Sequence, residues 1–150
     1  MRIEKATPGM LEDWAALRRA LWPQATESAH REEAAALLGT PDRAVAFLAY
    51  NARGTVAGFA EATLRHDYVN GCETSPVAFL EGIYVLPGKR RCGVARLLVQ
   101  AVEAWAVGLG CSELASDADI RNRGSHGMHR ALGFEETERV VYFRRTLGRG

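Results

Sequence analysis

Cysteine is scarce in this sequence, and long apolar runs are missing from it. Cys72, Cys92 and Cys111 are the only cysteines in 150 residues, an odd number without the spacing of a metal site. Such cysteines are typical of reduced thiols in the cytoplasm. No stretch reaches the roughly 18 apolar residues of a membrane span, and the start at Met1 lacks the apolar segment of a signal peptide. We therefore predict a cytoplasmic protein without a metal and without a membrane partner.

The chain also lacks a strong excess of charge of either sign. Its 19 Lys and Arg residues nearly balance 18 Asp and Glu residues, for a formal net charge of +1. A protein that binds nucleic acid through bulk charge is usually more basic, so we expect no nucleic-acid partner. Apolar residues make up 47% of the chain, enough for a core. The length predicts a single domain over residues 1–150.

The apolar and turn-forming residues predict a mixed α/β fold. The pattern favours a sheet of six or seven strands flanked by about four helices. The 78–86 segment shows little alternation, which indicates a central strand buried on both faces. Strands are predicted over residues 2–6, 44–50, 55–64, 78–86, 112–116 and 137–145. Helices are predicted from residue 8 to the proline at 23, from a Ser28 cap through residue 38, and over 94–107 and 125–132.

A basic, glycine-containing turn lies between a predicted strand and a predicted helix. The apolar strand ends at Pro87, the turn carries Arg90, Arg91 and Gly93, and an amphipathic helix begins at Val94. That order places backbone N–H groups at a helix N-terminus beside basic side chains, a combination that binds phosphate. The sequence therefore predicts a phosphate-bearing cofactor. An ordinary solvated turn is the alternative on this feature alone.

The turn can be compared with three known phosphate loops. A Walker loop needs Ser or Thr after its Gly-Lys pair, whereas Arg90 follows Gly88 and Lys89. A dinucleotide-binding loop needs Gly-x-Gly-x-x-Gly, which residues 93–95 do not supply. Residues 90–95, Arg-Arg-Cys-Gly-Val-Ala, resemble instead the pyrophosphate loop of the GNAT superfamily of acetyltransferases. Leu-Gly-Phe at residues 132–134 resembles the closing motif of that family, and the order of elements is similar over nearly the whole chain.

The GNAT resemblance implies a cofactor and the residues that hold it. The cofactor would be acetyl-CoA, in a cleft where the strand ending near residue 86 splays from the strand starting near residue 112. The backbone of Ile83, Tyr84 and Val85 would pair with the pantetheine arm. Asn122 matches an asparagine that contacts this arm in relatives, although asparagine is also common where a helix begins. The pyrophosphate would be held by main-chain N–H groups of Arg91, Cys92, Gly93, Val94, Ala95 and Arg96.

A closer resemblance concerns the acceptor of the acetyl group. The chain is similar to the bacterial aminoglycoside 6′-N-acetyltransferases at residues 21–23 (Leu-Trp-Pro), 66–72 (His-Asp-Tyr-Val-Asn-Gly-Cys), 79–83 (Phe-Leu-Glu-Gly-Ile), 115–117 (Ala-Ser-Asp) and 133–140 (Gly-Phe-Glu-Glu-Thr-Glu-Arg-Val). The resemblance implies an antibiotic-resistance enzyme that acetylates the 6′-amine of an aminoglycoside. Residues that would line its acceptor site are Trp22, Tyr68, Glu81, Asp117 and Glu138.

These residue types suit a polycationic sugar, and all of them except Tyr68 have a structural alternative. Carboxylates orient ammonium groups, and aromatic rings cover sugar faces or meet cations. Glu81 lies in an apolar strand, so it either opens onto the site or pairs with an arginine. Asp117 follows a strand end, where ligands bind, but also suits a cap or turn. Trp22 could simply pack in the core, and Glu138 could form a cross-strand ion pair.

The resemblance also implies a mechanism. Acetyl would pass directly from the thioester to a neutral amine in a ternary complex. A carboxylate, or a water that it holds, must take the proton of the amine, and Asp117 and Glu81 are both candidates. The backbone N–H of Val85 would stabilise the oxyanion. Where many GNAT enzymes have a tyrosine that protonates the thiolate, this chain has His129, for which a hydrogen bond within its own helix is the alternative.

The sequence leaves two alternative functions open, and it also bears on the oligomeric state. A GNAT enzyme for another small cationic amine, such as a polyamine or a peptide, would use the same acidic residues. A non-catalytic module that binds acyl-CoA is the alternative from a different class. The resemblance implies a homodimer, and the apolar run at residues 140–143 favours a covered edge strand near Glu138. Packing of that run under the first helices is equally compatible with the sequence.

Overall fold

The computed structural model describes residues 1–148, which form two compact units, the first over Met1–Asp117 and the second from Ala118 onward. The prediction of a single domain stays a prediction. The first unit contains a five-stranded sheet and three α-helices. Its elements are β1 (Arg2–Lys5), α1 (Leu11–Leu21), α2 (Glu27–Leu38), β2 (Ala44–Tyr50), β3 (Val56–Arg65), β4 (Val77–Val85), α3 (Val94–Gly108) and β5 (Leu114–Ser116). The second unit contains α4 (Arg123–Ala131).

The strands follow one another in the sheet in chain order, β1-β2-β3-β4-β5. The pairs from β1 to β4 are antiparallel, and β4 with β5 is parallel. The mixed α/β fold and the four α-helices that the sequence predicts are confirmed. Five strands are present in residues 1–148 rather than six or seven.

The strand predicted over residues 137–145 is wrong. Residues 134–148 carry no strand, and Val141, Tyr142 and Phe143 are strongly exposed. The apolar β-forming residues there satisfy the local pattern, but a strand also requires a hydrogen-bonded neighbour. Glu138 therefore lies on an exposed segment without regular secondary structure.

The sheet opens between β4 and β5, as the sequence predicts. Only three residue pairs join the two strands, the last of them Leu80 with Ser116. Beyond Leu80, β4 continues to Val85 along β3 alone, within the part of the chain that the structure describes. The sheet is thus discontinuous on the β5 side of Gly82–Val85, which confirms the predicted divergence.

The core forms because alternate residues of the central strands face different layers. Ala46, Leu48 and Tyr50 of β2 pack in one cluster with Trp14 of α1 and with Ala34 of α2. The intervening residues of β2 must face the other way, and α3 packs against β2, β3 and β4. The sheet is therefore covered by α1 and α2 on one face and by α3 on the other.

Two helix starts differ from the sequence prediction. Residues Pro8–Met10 form a short 3-10 turn, and α1 begins only at Leu11. Thr26, rather than Ser28, caps α2, because its hydroxyl accepts a hydrogen bond from the backbone N–H of Ala29 at 3.1 Å. None of the helices in residues 1–148 is long and apolar enough to cross a membrane.

Candidate active site

The turn after β4 has the backbone geometry that an anion site requires. It passes through a 3-10 turn at Pro87–Lys89 and reaches α3 at Val94. Arg91 and Gly93 both adopt left-handed conformations, with φ of 64° and 78°. A side chain at position 93 would be strained, which explains glycine there. The N-terminus of a 15-residue helix is thereby exposed at the end of β4.

Arg90 ties this turn to the strand before it. Its Nε donates a hydrogen bond to the carbonyl oxygen of Val85 at 2.9 Å, and its guanidinium lies 5.5 Å from the centre of the Tyr84 ring. Cys92, the third residue of the motif at residues 90–95, is exposed. The predicted cofactor residues of β4 and of the turn are therefore adjacent in the structure.

A β-bulge in β4 places Glu81. Glu61 of β3 lies opposite Gly82, whereas Ala62 lies opposite Leu80, so Glu81 is an extra residue in the ladder. A bulge redirects the side chain of the extra residue and is common beside active sites. Glu81 is also the first residue of β4 beyond its last pair with β5. Asp117 is the equivalent residue after β5, and it is exposed.

Glu81 combines the two roles that the sequence leaves open. Its carboxylate accepts hydrogen bonds from Thr63 Oγ1 at 2.5 Å and from the guanidinium of Arg65 at 2.9 Å. The same arginine lies 3.6 Å from the centre of the Phe79 ring. The Glu81 side chain is nevertheless 31% exposed, and it lines a cavity. Pairing with arginine therefore does not remove Glu81 from the site.

That cavity, of about 810 Å³, brings together two of the predicted acceptor residues, Trp22 and Glu81. Four further charged or titratable side chains that sequence reasoning did not select also line it: Arg18, His30, Glu33 and Glu61. Glu61 carried the same signal as Glu81, a carboxylate inside an apolar strand. The other three lie on amphipathic helices, where a polar residue gives no such signal.

Arg18 and Glu61 form a buried ion pair beneath this cavity. Their exposed fractions are 5% and 3%, and one guanidinium nitrogen contacts both carboxylate oxygens. The indole N–H of Trp14 also donates to Glu61 at 2.8 Å, and Arg18 reaches Glu33 at the surface. Burial raises the pKa of the Glu61 carboxyl, and the Arg18 guanidinium opposes that rise. Glu33 and Glu61 share Arg18, and Glu81 pairs with Arg65, so three carboxylates against two guanidinium groups leave a small net negative charge, which suits a cationic ligand.

Trp22 lies directly on β4 because Gly82 has no side chain. A Cβ at Gly82 would be 2.5 Å from Cζ2 of the indole. Trp22 also meets the Phe59 ring edge-on, with centroids 6.1 Å apart. Trp22 therefore packs against the core, which is the alternative that the sequence leaves open, and it also lines the cavity.

Tyr68 lies elsewhere in the first unit. It is 75% exposed and borders a second cavity, of about 740 Å³, with Arg43, Arg65 and Asp67. The β3–β4 loop that carries it is anchored by Glu113, whose carboxylate accepts hydrogen bonds from the backbone N–H groups of Glu73 and Thr74. The Thr74 hydroxyl donates to the same carboxylate, and this hydrogen bond, ahead of the two from backbone N–H groups, lowers the pKa of the Glu113 carboxyl. The structure thus does not place Tyr68 on the cavity that holds Trp22 and Glu81.

The second unit gives Asn122 and His129 local partners. Asn122 caps α4, its side-chain oxygen accepting from the N–H of Ser125 at 3.1 Å. Nδ1 of His129 lies 2.7 Å from the carbonyl oxygen of Ser125, so it is the protonated ring nitrogen. The His129 ring also meets Phe134 edge-on, with centroids 5.2 Å apart. Asn122 therefore has the helix-start role that the sequence leaves open for it. His129 has the hydrogen bond within its own helix.

Cys72 and Cys111 show no sign of a nucleophile. Burial raises the pKa of the Cys72 and Cys111 thiols. Both are therefore neutral thiols near pH 7, and a thiol is a much weaker nucleophile than a thiolate. A direct transfer without a covalent enzyme intermediate agrees with these environments.

Comparison with known proteins identifies closely similar chains. The sequence profile of the Acetyltransferase (GNAT) family matches residues 11–134. A protein of Acinetobacter genomosp. 13 named aminoglycoside N(6')-acetyltransferase type 1 is 52% identical over 148 residues, which cover 99% of this chain and 100% of that protein.

Two solved structures extend the comparison. The aminoglycoside antibiotic 6'-N-acetyltransferase AAC(6')-IG from Acinetobacter haemolyticus, in its apo form, has a TM-score of 0.93 and 48% identity, and the match covers 99% of this chain and 100% of that one. AAC(6')-Iy in complex with the bisubstrate analog CoA-S-monomethyl-acetylneamine has a TM-score of 0.92 and 46% identity, over 97% of this chain and 98% of that one.

Proposed function

This chain belongs to the GNAT family of acetyltransferases, and on that premise we propose that it transfers the acetyl group of acetyl-CoA to the 6′-amine of aminoglycosides. The observation that carries the proposal is the juxtaposition of Trp22 and Glu81 on an acidic cavity beside the opening of the sheet. The relatives named above, matched over nearly the whole chain, support this choice of acceptor over a polyamine or a peptide.

The proposed cofactor site is the opening between β4 and β5 together with the turn at residues 90–93. A structure of AAC(6')-Iy with a CoA-containing analog supports a CoA thioester as the donor. The backbone of Ile83–Val85 would hold the pantetheine arm, and the first turn of α3 would hold the pyrophosphate. Charge favours this arrangement, because the helix N-terminus and Arg91 both attract phosphate.

The proposed acceptor site uses carboxylates in two ways. Glu33 and Glu61 make the cavity wall negative and attract the ammonium groups of a polycation. Glu81 and Asp117 stand where β4 and β5 part, beside the proposed thioester. One of these two takes the proton that the 6′-ammonium must lose before its nitrogen attacks. The N–H of Val85 then donates to the oxygen of the tetrahedral intermediate, and the thiolate of CoA leaves.

Mass spectrometry of a kanamycin-type aminoglycoside after incubation with acetyl-CoA tests the proposal. We expect the mass of one acetyl group to be added, with fragmentation placing it on the ring that carries the 6′-amine. An aminoglycoside with a hydroxyl group at the 6′ position is the control, and it should not be modified. Acetylation of a polyamine alone would contradict the proposed acceptor.

Gly93→Asp should weaken binding of acetyl-CoA. The substitution adds a negative charge where the pyrophosphate is proposed to lie, and we expect a loss of affinity of at least tenfold, or ~1.4 kcal/mol. Gly93→Asn is the matched control, because Asn and Asp both tolerate the left-handed conformation at φ 78°. Titration calorimetry with CoA measures both. Equal affinities for the Asp and Asn variants would contradict the site.

We propose further that the protein is a homodimer. The segment after α4 exposes four consecutive apolar residues: Val140, Val141, Tyr142 and Phe143 are 47%, 76%, 82% and 92% exposed. Contiguous exposed apolar residues of this size are typical of protein–protein contact surfaces. A second copy of the same chain could add its own segment in an isologous arrangement.

Light scattering at micromolar concentration should give a mass near twice the 16.4 kDa of one chain. Tyr142→Ser with Phe143→Ser should shift that mass toward the monomer, because it removes the two most exposed aromatic side chains of the segment. A mass near 16.4 kDa for the unsubstituted protein would contradict the dimer.

We infer a cytoplasmic location as well. Cys72, Cys92 and Cys111 are all free thiols. Free thiols persist in the reducing cytoplasm, where acetyl-CoA is also available. Fractionation of cells that produce the protein tests the inference, and recovery with the periplasmic fraction would contradict it.

A further inference from the structure

We propose that His30 is a positioning residue for the acceptor: it fixes Trp22 on the wall of the cavity. The inference rests on the proposed function, because it assigns the cavity to the aminoglycoside. No sequence pattern indicated this role, since His30 lies on an amphipathic helix among alanines and glutamates. The contacts of its ring carry the argument.

The ring of His30 is held in one tautomer. His30 is 2% exposed, and Nε of Arg18 lies 3.3 Å from its Nδ1. A guanidinium can only donate, so Nδ1 accepts and carries no proton. The proton of the neutral ring is therefore on Nε2, which donates to the carbonyl oxygen of Trp22 at 2.8 Å. Arg18, itself fixed by Glu61, thus determines the direction in which His30 donates.

That hydrogen bond reaches a carbonyl at the end of a helix. Trp22 is the C-cap residue of α1, with φ −123° and ψ 77°. Carbonyl groups at a helix C-terminus lack intrahelical partners, so a side-chain donor fixes the direction in which the chain leaves the helix. His30 supplies this donor from the neighbouring helix, α2.

The same ring also orients the indole. The His30 and Trp22 rings are stacked, with centroids 6.3 Å apart and planes 24° from parallel. The guanidinium of Arg18 lies 4.9 Å from the centre of the indole, and Gly82 leaves room for it on the sheet. His30 therefore holds both the backbone and the side chain of Trp22. The proposal places the face of the bound sugar against the indole held in that orientation.

A pair of substitutions separates the positioning role from packing. In His30→Asn, the amide oxygen can still accept from Arg18, but no donor reaches the Trp22 carbonyl. In His30→Gln, the amide nitrogen reaches the place of Nε2 and keeps that donation. We expect His30→Asn to raise the KM for the aminoglycoside about two- to tenfold, the value of one net hydrogen bond, and His30→Gln to raise it less. The KM for acetyl-CoA should be unchanged in both.

Fluorine NMR gives a readout that does not depend on turnover. With 5-fluorotryptophan incorporated, the resonance of Trp22 is assigned by its disappearance in Trp22→Phe. We expect it to shift in both variants, because both remove the stacked ring, and to shift further in His30→Asn, which also loses the donor to the Trp22 carbonyl. Gly82→Ala serves as the positive control, because its methyl group displaces the indole from the other side.

The outcomes are distinct. A Trp22 resonance that shifts further in His30→Asn than in His30→Gln, together with a raised KM for the aminoglycoside, supports the proposal. Equal shifts in the two variants overturn it, and so does an equal KM in the Asn and Gln variants at equal thermal stability. If the unsubstituted protein acetylates no aminoglycoside, the proposed function fails, while the resonance still decides whether His30 fixes Trp22.

Discussion

Asp117→Asn and Glu81→Gln are both expected to lower kcat/KM for an aminoglycoside, and the variant that removes the proton acceptor should lose ~10²–10⁴-fold. Both substitutions keep the volume of the side chain and remove its charge. The two carboxylates lie one residue beyond the last pair of β4 and β5, where the sheet opens. Loss of a charge there weakens both the binding of the ammonium group and its deprotonation.

The two variants should differ in which constant changes. The Glu81 carboxylate already accepts hydrogen bonds from Thr63 and Arg65. Glu81 therefore has fewer free lone pairs with which to accept a proton than Asp117, which is exposed at the end of its strand. We therefore expect the loss in Asp117→Asn to fall mainly on kcat and the loss in Glu81→Gln to fall more on KM for the acceptor.

Steady-state kinetics with both substrates measures these effects. The affinity for CoA should be unchanged in both variants, since neither carboxylate belongs to the turn at residues 90–93. Glu103→Gln is the matched control, because it removes an exposed carboxylate from α3, outside the lining of both cavities. Full kcat/KM in both the Asp117 and Glu81 variants would show that neither carboxylate is used.

Arg18→Met should lower the free energy of unfolding by about 3–5 kcal/mol, because breaking a buried ion pair leaves one charge uncompensated. Glu61 would keep the indole N–H of Trp14 as a donor but lose the guanidinium that contacts both of its oxygens. Replacing both members, Arg18→Met with Glu61→Gln, removes the uncompensated charge and keeps an acceptor for the indole N–H of Trp14. We expect the double variant to regain most of the loss.

The effect of Arg18→Met should depend on pH in a definite direction. Burial raises the pKa of Glu61 above its ordinary value of 4.5, and in the variant nothing from Arg18 opposes that rise. A carboxyl whose pKa is higher in the folded state binds more protons there, so stability falls as the pH rises above the unfolded pKa. Urea unfolding should show a smaller loss near pH 5 than near pH 8. A loss independent of pH, or a double variant as unstable as the single one, would contradict this account.

The carboxylates illustrate what the sequence could reveal about the site. Glu81 stood out because a carboxylate inside an apolar strand requires a partner or an opening, and Glu61 in β3 satisfied the same rule without being selected. The bulge that turns Glu81 toward the opening depends on the register of two strands. No local pattern encodes that register.

In the fold as well, some features set by neighbouring residues were predicted correctly, whereas some features that depend on distant residues were not. Strand β2 and the start of α3 agree with the predicted limits, since turns and periodicity determine them locally. The pattern at 137–145 is equally regular, yet no strand forms there, because a ladder needs a neighbour that the pattern does not supply. Trp22 and Gly82 likewise meet only after folding, so the absent Cβ at Gly82 had no visible reason in the sequence.

The bulge at Glu81 has a genetic consequence. The pairs on either side of it, Leu80 with Ala62 and Gly82 with Glu61, involve consecutive residues of β3. Loss of codon 81 would bring Leu80 and Gly82 together in an uninterrupted ladder, with every other pair of β3 and β4 unchanged. A carboxylate at the opening of the sheet is thus carried by a residue that the pairing of the sheet does not require. An in-frame deletion of codon 81 would therefore remove the carboxylate proposed to act in acetyl transfer and leave the pairing of the sheet intact. Insertion of one codon at the same place would restore the bulge.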